Sequence, residues 1–320
     1  MAPYFVTSSA LPGQKKLAVI LCTYNPRRDF LSLALRSIGA QTLDRSLWDF
    51  VLVDNNSSPP LNQEYVSLVT GRSAKLVHQP VQGLTHARIA GLKATDSDYV
   101  VFVDDDNELA EDYLANVMKI VESQSTLGAF GGISEGVLER PVGKFKRGFL
   151  GELGIRNYGD ERIEGPGSEW GEWEPIGAGL VVRRSVAQAF VDFVEDSRSA
   201  GALGRSGNSL MSGEDSLFSR LADRQGLQCA YEPTLKLRHY MSGNRLTARY
   251  LARLVYGHGR SFVLLSRSLG NEPDRPESSK LKFLAANWWY RGKTESFANA
   301  FGMLCWDAGF YDEVCSTKDG

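Results

Sequence analysis

Three carboxylates stand side by side in Asp104-Asp105-Asp106, directly after the apolar run Tyr99-Val-Val-Phe-Val103. At the end of a buried strand these like charges repel, and burial penalises each ionised form, so the cluster is costly unless a positive group joins it. A hard divalent cation removes that penalty. Mg2+ or Mn2+ held by one or two carboxylates plus substrate phosphate oxygens is the usual arrangement for nucleotide chemistry, and a solvated acidic turn is the plain alternative. A second acidic pair, Glu214-Asp215, follows Gly213 and opens a helix whose Leu217, Phe218 and Leu221 face inward. The helix dipole keeps first-turn carboxylates ionised, ready either to take a proton as a general base or simply to cap the helix.

Other polar residues fall where they can serve the same chemistry. Thr23-Tyr24-Asn25 and Asp54-Asn55 each follow an apolar run, where they can wrap a base and ribose or act as ordinary turn residues. His86 and Arg88 stand at a helix start, a natural place to meet phosphate or plain solvent. His239, between Arg238 and Tyr240, is a metal or pyrophosphate ligand or a packed core imidazole. Trp170 and Trp173 suit stacking on a sugar face or filling a core; with Arg245 they form the candidate acceptor contacts. Arg249, Arg253 and Arg260 on a late helix can meet a lipid diphosphate, an anionic surface or water.

These groups need elements that aim them at one place. Leu17-Ala-Val-Ile-Leu-Cys22 is almost wholly apolar, as a parallel strand buried on both faces should be. Asn25 as cap and Pro26 in the first turn would then start a helix with Leu31, Ala34, Leu35 and Ile38 on one side. Strands at Phe50–Val53, Lys75–His78 and Tyr99–Val103, with a helix from Ala87 to Ala94, continue the alternation. Such alternation predicts an α/β architecture with an open, mainly parallel sheet flanked by helices, whose ligands bind at the carboxyl ends of the strands. Thr23, Asp54 and Asp104 to Asp106 all fall at such ends. From Ser134 to Glu174 the texture is rich in Gly, Trp and charge, and reads as a long excursion. A strand after Pro175 and helices from Glu214, from Arg245 to Ser266 and around Phe297 to Leu304 complete the pattern.

Composition narrows the function. A formal charge of -2 over 320 residues supplies no basic field for nucleic acid. Cys22, Cys229, Cys305 and Cys315 lack zinc spacing and read as reduced thiols in a cytosolic protein. No apolar run reaches the roughly 18 residues of a spanning helix, and Met1 to Lys16 lacks the features of a secretory signal. No G-x-G-x-x-G follows a strand, against a dinucleotide-binding dehydrogenase, and Thr-Tyr-Asn-Pro replaces the Gly-rich basic loop that a nucleotidyltransferase would use.

Val19-Ile-Leu-Cys-Thr-Tyr-Asn25, Val53-Asp-Asn-Asn-Ser57, Val103-Asp-Asp-Asp106 and Gly213-Glu-Asp215 occur in one order over residues 17 to 240. That ordered set resembles family 2 glycosyltransferases of the branch that builds bacterial cell-surface polysaccharides. The resemblance implies a GT-A (nucleotide-diphospho-sugar transferase) fold and an inverting mechanism with a UDP-, GDP- or dTDP-sugar donor, UDP favoured. Thr23 and Asn25 would line the nucleotide site beside Tyr24, Asn55, Arg88 and Asp105, and Asp54 would contact the base. Asp104 would face the ribose or metal, Asp106 would coordinate the metal, and His239 would assist it. Asp215 would be the catalytic base with Glu214 in support, while Gly177-Ala178-Gly179 would leave room beside the donor sugar. The expected organisation is a tail over 1–16, a catalytic domain over 17–244 divided into nucleotide (17–130) and acceptor (131–244) halves, and a helical extension over 245–320. The acceptor is expected to be a saccharide or a lipid-linked saccharide at the cytoplasmic face of the membrane. Trp288, Trp289 and Arg291 would serve that face, pack within the domain, or form a homodimer. An inactive carbohydrate-binding scaffold is the non-enzymatic rival.

Overall fold

The computed structural model describes residues 16–316 apart from 72, 197–202, 206 and 208, so the expected tail lies almost wholly outside the described residues. β1 (Leu17–Thr23) is buried at every position and pairs in parallel with β2 (Trp48–Asp54) and β4 (Tyr99–Asp104). β2 in turn carries β3 (Lys75–His78), also parallel. α1 (Arg28–Gly39) lays Leu31, Ala34, Leu35 and Ile38 on one sheet face against Val19, Leu21 and Leu52. α2 (Gln63–Thr70) adds Val66 to the same layer, and α3 (Leu84–Lys93) brings Ala87 and Leu92 to Ile20, Val51 and Val53 on the other face. Thr23 is in register with Asp54, and Cys22 with Asp104, so the polar groups ending three strands share one edge.

The second half departs from a simple parallel sheet. Its elements are β5 (Asn107–Leu109), α4 (Tyr113–Ser123), β6 (Leu127–Leu138), α5 (Lys144–Arg147), β7 (Ile163–Pro166), β8 (Val181–Arg183), α6 (Arg184–Asp196), α7 (Glu214–Asp223) and β9 (Gln228–Met241). The described strands form one sheet in the order β3-β2-β1-β4-β8-β6-β9-β5, with β7 on β9. β8 is antiparallel to both β4 and β6, β6 is parallel to β9, and β5 and β7 are antiparallel to β9. The sheet is therefore parallel as far as β4 and mixed beyond it.

Four strands escaped the sequence reading: the short β5 and β7, and the long β6 and β9. β6 continues into the segment read as an excursion, and its glycines obscure the strand pattern: a Cβ on Gly132 would lie 2.0 Å from the Leu235 carbonyl oxygen of β9. β9 did carry a signal, because Leu235, Leu237, His239 and Met241 are buried with Lys236 and Arg238 exposed between them.

α8 (Ala248–Ser268) begins after Arg245, where Thr247 accepts the Tyr250 N–H at 3.2 Å and caps the helix. It packs with α9 (Lys280–Thr294) and α10 (Phe297–Cys315) into the C-terminal layer. α8 and α10 approach backbone to backbone: a Cβ on Gly259 would stand 2.1 Å from the Trp306 carbonyl oxygen, and one on Gly309 2.0 Å from that of Tyr256. Beneath them Leu251, Leu254 and Val255 bury against Phe149, Leu153 and Met241. Gly309→Val forces this crossing apart and is expected to cost about 1–3 kcal/mol of stability, read as a lower denaturant midpoint.

Candidate active site

A cavity of about 850 Å³ opens along the carboxyl edge of the parallel strands. Thr23, Tyr24, Asn55, Asp104, Asp105 and Asp106 line one part of it; Glu214, Asp215, Gly177 and Ala178 another; Phe262, Met303 and Trp306 of the C-terminal helices a third. Elements far apart in sequence thus converge on one volume.

The carboxylates differ because their neighbours differ. Burial pushes the Asp104 and Asp105 carboxyls up, Asp105 to about 7, with the Asp106 charge adding to the effect. Thr23 donates its hydroxyl to Asp105. Burial acts on Asp106 as well, but His239 and Arg245 outweigh it and hold that carboxyl well below the usual range. His239 Nε2 lies 3.3 Å from one Asp106 oxygen, and Arg245 Nη1 donates to the other at 2.7 Å. Arg245, expected among the acceptor contacts, lines the cavity with its guanidinium paired to Asp106.

The second acidic pair is organised by one buried cation. Arg88 Nη1 donates to Asp215 Oδ1 at 3.0 Å and to Glu214 Oε2 at 3.3 Å. Burial alone would favour a neutral Arg88; the two carboxylates keep it charged. Arg88, expected to meet phosphate at the helix start, lies in the second turn of α3 and lines the cavity with its guanidinium turned to these acidic partners. The other Asp215 oxygen accepts the Gly177 N–H at 2.7 Å. Gly177 is glycine because a Cβ there would meet Arg88 Nη2 at 2.8 Å and the Asp215 oxygens at 3.0 and 3.1 Å. Burial raises the Glu214 carboxyl, against the pull of Arg88, whereas the Asp215 side chain keeps 26% of its surface exposed. Of the pair, Asp215 is the one open to a substrate proton.

Several expected nucleotide contacts hold the scaffold instead. Asp54 does not line the cavity: its oxygens accept the N–H groups of Ser57 (3.0 Å) and Leu61 (2.8 Å). Asn25 also lies off the cavity and neither caps α1 nor precedes it directly. It adopts φ 45°, and its side-chain oxygen accepts Ser58 N–H at 2.8 Å. Asn55 does line the cavity, while its amide braces the 79–83 loop through Gln79 O, Val81 O and Gly83 N. Gly179 faces Tyr113, whose hydroxyl donates to its carbonyl at 2.6 Å, in place of the donor sugar. Trp173 packs between Gly165 and Gly171 and donates to Pro166 O at 3.0 Å, so it fills a core position. Trp170 remains exposed at the cavity, over the Arg220 guanidinium at 4.6 Å.

Among the described residues no group of three or more His, Cys, Asp or Glu is arranged to hold a metal ion by itself. Asp104, Asp106 and His239 are thus not a finished cage. The donor set still fits a hard cation that takes its remaining oxygens from a diphosphate, because Asp106 is kept ionised and reaches the cavity. Reading by motif missed Glu174 and Arg156, which also line the cavity. Neither belongs to a motif; only the path of the excursion brings them there.

The profile of "Glycosyl transferase family 2" matches residues 18–189. The chain is 34% identical over 107 residues to the succinoglycan biosynthesis protein ExoW of Rhizobium meliloti (strain 1021), a match covering 32% of each chain. It is 25% identical over 114 residues to EpsH of Bacillus subtilis (strain 168), covering 35% of this chain and 32% of that one. The chain thus matches about a third of the length of these curated relatives. The crystal structure of S. aureus TarS superposes over 93% of this chain and 54% of that chain with a TM-score of 0.51 at 16% identity, a likeness of fold.

Glu174 offers a test of the cavity's electrostatics. Burial pushes its carboxyl up to about 7, Arg220 pulling the other way. A raised folded-state value means a penalty that is absent at acid pH, grows as pH rises above the ordinary carboxylate range, and is complete above about 7. Glu174→Gln removes it, so the variant's gain in Tm over the parent is expected to be larger at pH 8 than at pH 5.5, measured by thermal melts.

Proposed function

The chain belongs to glycosyl transferase family 2, and we propose that it inverts a sugar's anomeric centre while transferring it from a nucleotide diphosphate, UDP first among the candidates, to a hydroxyl of a saccharide or lipid-linked saccharide in surface polysaccharide synthesis. The observation that carries this reading is Asp215. It is fixed through both oxygens by Arg88 and Gly177 and partly exposed to the cavity that Asp104 to Asp106 line.

The chain's residues divide the work. Thr23, Tyr24 and Asn55 border the space for the nucleoside, and Trp170 offers an exposed ring to an acceptor sugar. Phe262, Met303 and Trp306 add an apolar wall suited to a larger or lipid-bearing acceptor. The acceptor hydroxyl attacks the anomeric carbon as Asp215 takes its proton; the new C–O bond forms while the bond to the diphosphate oxygen breaks, and the nucleoside diphosphate leaves with that electron pair. Arg88 holds Asp215 in one orientation. Mg2+ or Mn2+ held by Asp106 and Asp104, with His239 beside them, would supply charge neutralisation at the departing diphosphate.

Asp215→Asn keeps the hydrogen-bonding shape and removes the base. It is expected to lower transfer by roughly 10²–10⁴-fold while nucleotide binding by calorimetry stays within about twofold of the parent. Asp106→Ala is expected to abolish the Mn2+-dependent part of UDP binding. A product that retains the donor's anomeric configuration by NMR would overturn the mechanism, and a parent protein that binds no nucleoside diphosphate would overturn the function.

A further inference from the structure

α9 spans fifteen residues and buries none of them fully. Its two sides are nevertheless distinct. On the inner side Lys280 donates to both oxygens of Asp312 at 2.7 Å, and Asn287 and Arg291 bond Asp307. Phe283 packs on Phe310 and Tyr311, and Trp288 stands edge-on to Phe297 at 5.9 Å. The helix is thereby locked to α10 in one rotation. On the outer side Leu281, Lys282, Ala285, Ala286, Trp289, Tyr290 and Lys293 are exposed, a spacing that puts them on one helical face.

That face has an unusual makeup for one turned to water. Leu281 is 82% exposed, Trp289 69% and Tyr290 71%, and exposed Phe297 follows at the start of α10. From Ser278 to Thr294 the chain carries Lys280, Lys282, Arg291 and Lys293 and no acidic residue; the nearest acids, Glu277 and Glu295, lie outside the helix. Lys280 and Arg291 are neutralised on the inner side, so the outward charge comes from Lys282 and Lys293, which form no ion pair among the described residues. Lys293 rests its ammonium 4.3 Å from the Trp289 ring.

We propose that this outer face of α9 docks the protein on an anionic lipid bilayer. Trp and Tyr favour the headgroup level because one part of each ring system is apolar and another forms hydrogen bonds. Leu281 and Phe297 supply apolar area to sink among the acyl chains. Lysines at the edge of such a face spread their methylenes over apolar surface and place their charge among lipid phosphates. No described helix is long and apolar enough to cross a membrane, so the contact is peripheral, with α9 lying in the plane of the interface. A second copy of the chain would bring the same two lysines toward each other, so the outward charge favours an anionic surface over self-association. The proposal is independent of the sugar transferred, because it rests on α9 and the first residue of α10.

The test is co-sedimentation of the full chain with phosphatidylcholine vesicles, with and without phosphatidylglycerol. Binding is expected to the anionic vesicles, weakened about tenfold or more by high salt or by omitting the anionic lipid. Lys282→Glu with Lys293→Glu, and separately Trp289→Ser with Tyr290→Ser, are each expected to cut that binding about tenfold or more with an unchanged circular dichroism spectrum. Parent protein that stays in the supernatant with anionic vesicles, or variants that bind like the parent, would overturn the proposal. So would light scattering that finds a parent dimer and a Trp289→Ser, Tyr290→Ser monomer with no vesicle binding by either, since the face would then belong to a second copy.

Discussion

The rest of the site depends on the need to balance carboxylates confined at the ends of buried strands. Asp104, Asp105 and Asp106 come from one strand end, and Glu214 with Asp215 from a helix start across the cavity. Each pays for burial unless a cation faces it. Their partners arrive from elsewhere in the chain: the Arg88 guanidinium from α3, the His239 imidazole from β9 and the Arg245 guanidinium from the turn before α8. The balance therefore ties the parallel half of the sheet, the mixed half and the C-terminal helices into one unit around the cavity.

That balance is uneven, and the unevenness has chemical use. The His239 ring and the Arg245 guanidinium hold Asp106 well below the usual carboxylate range, whereas burial, with the Asp106 charge adding to it, pushes Asp105 up to about 7. Glu214 and Asp215 share Arg88 at the cavity wall, but Glu214 is almost wholly buried whereas Asp215 is partly exposed. Removing one member of such a buried set typically costs about 3–5 kcal/mol, because the charge left behind has lost its partner. Arg88 is thus a structural keystone and the group that orients Asp215.

Glycine and backbone geometry carry the other half of the argument. Gly177 lets an N–H reach Asp215, and Gly259 and Gly309 let α8 and α10 touch, which brings Phe262, Met303 and Trp306 into the cavity wall. The C-terminal helices are consequently part of the site. Their outer surface on α9 and their inner surface at the cavity belong to one packed layer.

The sequence by itself determined β1, β2 and β4, because strands buried on both faces must be apolar, and it determined that Thr23 and the aspartates stand at their carboxyl ends. It also marked Asp215 through the helix start at Gly213, and the ordered motifs were enough to indicate the family. Tertiary structure decided which polar group faces the cavity and which faces the scaffold. Asp54 and Asn25 read as ligands but spend their oxygens on nearby backbone N–H groups; Trp173 reads like Trp170 but is sandwiched by two glycines. Arg88 and Arg245 read as free cations, yet each ends on a carboxylate more than a hundred residues away. Local sequence sets backbone preference and burial pattern, whereas the partner of a long polar side chain depends on which distant element folds beside it, and no spacing within a motif encodes that.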